Sequence, residues 1–114
     1  MSKRLEDLAD SFRPLAEKLI AACKAAGIPL AIIDTLRTEA EHAANLAKGV
    51  SWVKRSKHMD GLAIDVCPQV LLREKGWAPA SPLWTTIGVI GESLGLRWGG
   101  RWRVKDLGHF ELGG

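Results

Sequence analysis

Apolar residues open the chain in steps of three and four, at Leu5, Leu8, Phe12, Leu15, Leu19 and Cys23, which aligns them along one face of a helix. The spacing predicts a first amphipathic helix that ends near Gly27-Ile28-Pro29, where glycine and then proline halt helical backbone. The run Leu30-Ala31-Ile32-Ile33 is short and uniformly apolar, the pattern of a buried strand, and it ends at Asp34-Thr35. Thr38 and Glu41 then form a T-x-x-E capping box for a second helix, from Ala40 to Lys48, stopped by Gly49. Residues 50–60 are polar and basic without a period, so they predict a loop that delivers His58 to the mouth of a second strand, Gly61-Leu62-Ala63-Ile64-Asp65-Val66-Cys67, closed by Pro68. Val70 to Ala80 is ambiguous. Ser81-Pro82 supplies an N-cap and a first-turn proline for a third helix reaching Leu94, with Gly95 as its stop. Two short strands follow, Leu96 to Trp98 and His109 to Leu112, joined by the Gly99-Gly100 turn.

A length of 114 residues fits one domain over 1–114 with a single core. The proportions, 46% hydrophobic and 25% charged, exclude disorder and fibrous repeats. Sixteen Lys and Arg against thirteen Asp and Glu leave a net charge of +3, a mild bias toward polyanions that selects none of them. The basic residues are scattered rather than gathered in a stripe, so no specific nucleic-acid partner is expected. Cys23 and Cys67 sit in apolar surroundings without CxxC spacing and read as reduced core residues. Glu6, Asp7 and Asp10 interrupt the region where a signal peptide would need an apolar run, and no stretch approaches the ~18 apolar residues of a membrane span. The expectation is a monomer kept in the cytoplasm of the producing cell unless something releases it.

The stretch from Ser56 to Asp65 reads S-x-H-x-x-G-x-A-x-D. Imidazole and carboxylate are ordinary zinc ligands, and an open catalytic site takes three protein ligands and leaves a fourth position to water. A loop histidine, His58, and a carboxylate inside an apolar strand, Asp65, supply two. Asp65 lies between Ile64 and Val66, where a buried carboxylate requires a partner or a metal. The third ligand must come from elsewhere, and the remaining histidines are His42 and His109.

Three ordered motifs, S-x-H-x-x-G-x-A-x-D, then G-x-x-x-G-L-x-W-G-G-x-W, then D-x-x-H-F-E, together resemble the M15 zinc peptidases over about Ile32 to Glu111. That family includes D-Ala-D-Ala carboxypeptidases, D,D-dipeptidases and the L-alanyl-D-glutamate endopeptidases of phage endolysins. The resemblance implies zinc held by His58, Asp65 and His109, with Asp106 as general base and Arg37 near the scissile carbonyl. His42 is then a helix surface residue, because a fourth protein ligand would close the catalytic position. An Asp at position 106 resembles the endolysin branch, whereas the dipeptidase branch uses Glu.

The implied chemistry is coherent. Zinc with an open position lowers the pKa of water from ~15.7 toward ~7 and polarises an amide carbonyl. Asp106 would carry the proton to the leaving amine, and the fixed cationic fork of Arg37 suits an oxyanion. Ser56 would hydrogen-bond substrate or orient His58. Trp98 and Trp102 line the cleft or belong to the core, and Glu111 either bonds a ligating imidazole or ends a strand. The fold expected is α+β, a small, mainly antiparallel sheet with packed helices, hedgehog- or D,D-peptidase-like, with zinc at the sheet's open face. The function expected is hydrolysis of the peptidoglycan peptide stem at the L-alanyl-D-glutamate bond, by an endolysin released through holin-type permeabilisation. The alternatives are a D-Ala-D-Ala carboxypeptidase or dipeptidase with the same machinery, and a non-catalytic zinc-containing module of the same fold.

Overall fold

The computed structural model describes residues 2–36, 43, 44, 47, 57–74 and 78–113. Four strands form one antiparallel sheet in the order β1-β2-β4-β3, with β1 at Leu30–Asp34, β2 at Ala63–Pro68, β3 at Leu96–Trp98 and β4 at His109–Leu112. Helices α1 (Arg13–Ala25), α2 (Gln69–Glu74) and α3 (Leu83–Ser93) accompany the sheet, giving the expected α+β architecture. Ala43, Ala44 and Ala47 are helical, while the capping residues Thr38 and Glu41 lie outside the described residues.

Alternation along the strands separates two faces. Ile64, Val66 and Phe110 are fully buried on one of them, against α1 and α3. The approach there is close: a Cβ on Gly91 of α3 would stand 2.4 Å from the Phe110 ring and 3.5 Å from Leu19 of α1. The opposite face carries Asp65, His109 and Glu111. The sheet thus presents apolar side chains to its helices and polar ones to the site.

The first helix is shorter than the apolar spacing predicts. Pro14 lies in the first turn of α1, where its missing N–H costs nothing, and a helix continuing back through it would lose a hydrogen bond and clash. Leu5–Asp7 instead forms a separate 3-10 turn. The Arg13 guanidinium ties that turn to α1 through the carbonyls of Leu5 at 3.1 Å and Leu8 at 2.6 Å. At the far end, Gly27 N–H donates to Lys24 and Ile28 N–H to Cys23, at 2.9 and 2.8 Å. This is a Schellman cap, for which Gly27 adopts φ +84°.

Other boundaries also moved. Among the described residues β1 is an edge strand, and Ala31, Ile32 and Ile33 are only half-buried rather than enclosed. The ambiguous stretch begins with α2. Pro82 is the N-cap of α3 rather than its first residue, and Ser81, one position before it, accepts the Leu83 N–H through Oγ at 3.2 Å. The link from β3 to β4 is not a tight glycine hairpin: Gly99–Arg101 forms a 3-10 turn and irregular backbone continues to Gly108. Cys23 and Cys67 are buried free thiols, as expected.

The Trp98 ring lies against two glycines, within 2.3 Å of where a Cβ on Gly88 would sit and 2.2 Å of one on Gly100. Its Nε1–H donates to the Leu107 carbonyl at 2.8 Å. Replacing Gly88 by Val must therefore push the indole out of its seat, and overpacking of this kind costs about 2–3 kcal/mol. Urea unfolding of the Gly88→Val chain is expected to show that loss with an unchanged m-value; a stability equal to the parent's would contradict the packing described.

Candidate metal centre

Register builds the site. Asp65 of β2 pairs directly with His109 of β4, so both side chains leave the same face of the sheet. A bulge between Ile32 and Asp34 sets Asp34 opposite Asp65, adding a further carboxylate, itself buried, on that face. His58 stands not in an irregular loop but on a 3-10 turn, Lys57–Asp60, which leaves it buried. Gly61 ends this turn with φ +70°, and a Cβ there would lie 2.7 Å from the Ala9 nitrogen, so the N-terminal segment packs onto the turn. The Ala9 N–H donates to the Gly61 carbonyl at 3.0 Å, and Ser2 brackets Thr35 and Leu36 through two further backbone bonds.

The ligand atoms of His58, Asp65 and His109 all lie within 4.8 Å of one another. Asp65 Oδ1 is central, 3.1 Å from His58 Nε2 and 2.9 Å from His109 Nδ1. Each imidazole is held by its other nitrogen. His58 Nδ1 is 2.7 Å from the Thr35 carbonyl, an acceptor only, so this nitrogen carries a proton and Nε2 faces the cluster. His109 Nε2 is 2.8 Å from Glu111 Oε1, leaving Nδ1 for the cluster. Second partners of this kind fix tautomer and ring orientation at metal sites.

The residues fit zinc. Four-coordinate zinc, with bonds of about 2.0–2.1 Å, holds its donors about 3.3 Å apart, close to the separations around Asp65. Two imidazoles and one carboxylate are a zinc donor set that leaves a fourth position open. Among the described residues, this is the one such group of His, Cys, Asp and Glu side chains.

Electrostatics holds Asp65 and His109 charged. Burial alone would raise the Asp65 carboxyl, but hydrogen bonds from His109 and His58 and their charges together outweigh it, leaving the carboxyl well below the usual range. Burial likewise opposes the His109 imidazolium, yet bonds to Asp65 and Glu111 and the nearby charges of Asp65 and Asp106 raise its pKa to about 9. Asp106 Oδ2 is 3.9 Å from His109 Nδ1, and its side chain is 48% exposed. It reaches the rim because Gly99 lets the chain fold back: a Cβ there would meet the Asp106 carbonyl at 2.4 Å. The Asp106 N–H also donates to the Gly99 carbonyl at 3.0 Å.

The two tryptophans part company. Trp102 is exposed, with its ring centroid 4.9 Å from that of His109. Trp98 pairs with Phe110, which puts it on the helix-covered face, so a cleft-lining position is overturned for it. Glu111, left open by the sequence, bonds the His109 imidazole. Lys57 Nζ, which sequence reasoning passed over, is 3.3 Å from Glu111 Oε2. The Thr35 carbonyl was equally unforeseen, since a backbone acceptor leaves no mark in residue type. Arg37, Ser56 and His42 lie outside the described residues.

A candidate metal centre on a small antiparallel sheet is the class of site that this fold and donor set define. A family model described as D-alanyl-D-alanine carboxypeptidase matches residues 49–112, more than half of the chain, and the chain belongs to that M15 peptidase family. The chain is similar to the L-alanyl-D-glutamate peptidase of Listeria phage A118, at 36% identity over 98 residues, covering 83% of this chain and 34% of the relative. It is also similar to the L-alanyl-D-glutamate peptidase of Escherichia phage T5, at 33% identity over 89 residues, covering 71% of this chain and 64% of the relative. It therefore spans about a third of one curated relative and just under two thirds of the other. The fold is shared with the Serratia marcescens L-Ala D-Glu endopeptidase ChiX, with a TM-score of 0.74 and 22% identity over 95% of this chain and 82% of that one. It is shared too with the vancomycin-resistance D,D-pentapeptidase VanY, in complex with Zn(II), with a TM-score of 0.66 and 16% identity over 94% and 73%.

If His109 is a ligand, bound zinc would displace the proton that the raised pKa holds on this ring. Because the folded pKa is raised, from 6.5 to about 9, the proton's contribution to stability is full below the unfolded value and is lost as pH rises through about 9. Between those values each zinc bound is expected to release one proton from His109, and affinity to rise about tenfold per pH unit. Calorimetric titration in buffers of differing ionisation enthalpy counts that proton, and a count of zero near neutral pH would contradict the assignment.

Proposed function

We propose that this chain is a zinc-dependent peptidase that cuts the peptide stem of bacterial peptidoglycan at the L-alanyl-D-glutamate bond. The observation that carries the reading is the convergence of His58, Asp65 and His109 within 4.8 Å, with the Asp106 carboxylate 3.9 Å from His109. Both phage relatives are named for that bond. When bound, zinc supplies a Lewis acid that activates water near neutral pH and polarises a scissile carbonyl. His58, Asp65 and His109 would hold it, and Thr35 and Glu111 keep the two imidazoles aimed. Asp106 accepts the proton of the attacking water and passes it to the leaving amine, a role worth about 10²–10⁴-fold in rate. Its half-exposed place suits an exchange with substrate. Arg37 stabilises the developing oxyanion and Ser56 binds substrate or steadies His58, roles that rest on the sequence motifs alone. Trp102 offers an apolar wall beside His109.

The proposed setting is lytic, with the protein made in the producing cell and released to the wall by holin-type permeabilisation. No described helix is long and apolar enough to cross a membrane. A second reading, removal of a terminal D-alanine, is favoured by the description of the matching family model.

Digestion of defined stem peptides by the zinc-loaded chain, followed by mass spectrometry of the new termini, separates these readings. The expected product begins with D-glutamate; free D-alanine would establish the second reading, and binding without any cut would leave a binding module. Asp106→Ala is expected to lower kcat by about 10²–10⁴-fold with zinc still bound, and a variant that turns over like the parent would remove Asp106 from the mechanism.

A further inference from the structure

Lys57 immediately precedes His58 in sequence, yet its side chain serves the other histidine. Its Nζ lies 3.3 Å from Glu111 Oε2 and donates to the Leu112 carbonyl at 2.9 Å. Glu111 is buried, and its other oxygen, Oε1, holds His109 Nε2 at 2.8 Å. The two carboxylate oxygens are thus divided between one cation and one imidazole. A buried carboxylate held at one end only would be free to turn about that contact, and the loss of a charged partner at a buried site is costly. Backbone bonds reinforce the link, since the Leu62 N–H donates to the Lys57 carbonyl at 3.0 Å and the Leu112 N–H to the Leu62 carbonyl at 2.9 Å. Arg97 lies across from Glu111 in register but is exposed, and among the described residues no ion pair joins the two.

We propose that Lys57 is a positioning residue of the metal centre, locking Glu111 so that His109 presents Nδ1 to the ion. The inference rests on the reading of His109 as a zinc ligand. One dipeptide then governs both imidazoles: His58 enters the donor set directly, and Lys57 fixes the orientation of its counterpart across the sheet.

Zinc affinity, measured by competition with a chromophoric chelator, tests this in the full chain. Partners one step from a ligand typically change metal affinity 10–100-fold. Lys57, a step further out, is expected to cost about tenfold when changed to Met. Lys57→Arg, which keeps a cation, is expected to restore most of that affinity. In a Glu111→Gln background the Lys57→Met change is expected to shift affinity less than about twofold, because the group it positions is gone. The zinc-loaded parent is further expected to show a slowly exchanging His109 Nε2 proton by NMR, lost in Lys57→Met. Equal zinc affinity in parent and Lys57→Met, or the same loss in both backgrounds, would overturn the proposal. If the Met variant does not fold, Lys57→Gln, which keeps a donor for the Leu112 carbonyl, is judged by the same outcomes. A parent that binds no zinc overturns the metal reading as well, whereas one that binds it indifferently to Lys57 overturns this inference alone.

Discussion

The pairing of Asp65 with His109 across β2 and β4 is the constraint on which the rest of the molecule depends. Side chains alternate along a strand, so fixing this pair on one face fixes Ile64 and Phe110 on the other, beneath α1 and α3. A slip of one residue between the strands would carry the apolar set into the site and the ionic set into the core. The register that closes the core is therefore the register that assembles the donor atoms. The glycines of α3 belong to the same constraint, for the helix can lie close enough to cover Phe110 and Trp98 only because Gly88 and Gly91 carry no side chain.

Charge is arranged around that pair in alternation: Asp65, His109, Glu111 and Lys57 follow one another at 2.9, 2.8 and 3.3 Å. Buried ions are tolerated when each has a partner of opposite sign and a hydrogen bond to match, and a row of alternating signs meets both demands. It also draws from separate motifs in the sequence, so the 3-10 turn, the second strand and the last strand are held in mutual position by electrostatics as well as by backbone pairing.

Much of this was legible before the fold was known, for reasons that can be named. β3 and β4 fall where short apolar runs flank the glycine-rich segment, and the stops at Gly27 and Gly95 follow from the left-handed backbone that ends both helices. The convergence of His58, Asp65 and His109 was expected because three ordered motifs resemble those of the M15 zinc peptidases. Pro14 interrupts an apolar stripe that by spacing alone reads as one helix; Leu8 and Phe12 do reach the core, without belonging to one helix. Glu111 was within reach, since two residues beyond His109 on a strand is the same face. The place of Trp98 required the pairing with Phe110, and the contacts of Lys57 required the closed sheet, because both are decided by residues far away in sequence.

β4 is the last of the four described strands along the chain, yet it lies between β2 and β3. A chain emerging amino end first has β1, β2, the helices and β3 before the strand that must join them. Until then the sheet is two separate parts, with unpaired edges and an unfilled place where Phe110 will lie, and the donor set lacks its third member. Assembly of the sheet and assembly of the centre are consequently one event. A partly synthesised chain carries His58 and Asp65 on unfinished structure, and His109 arrives with the strand that joins the two halves of the described sheet.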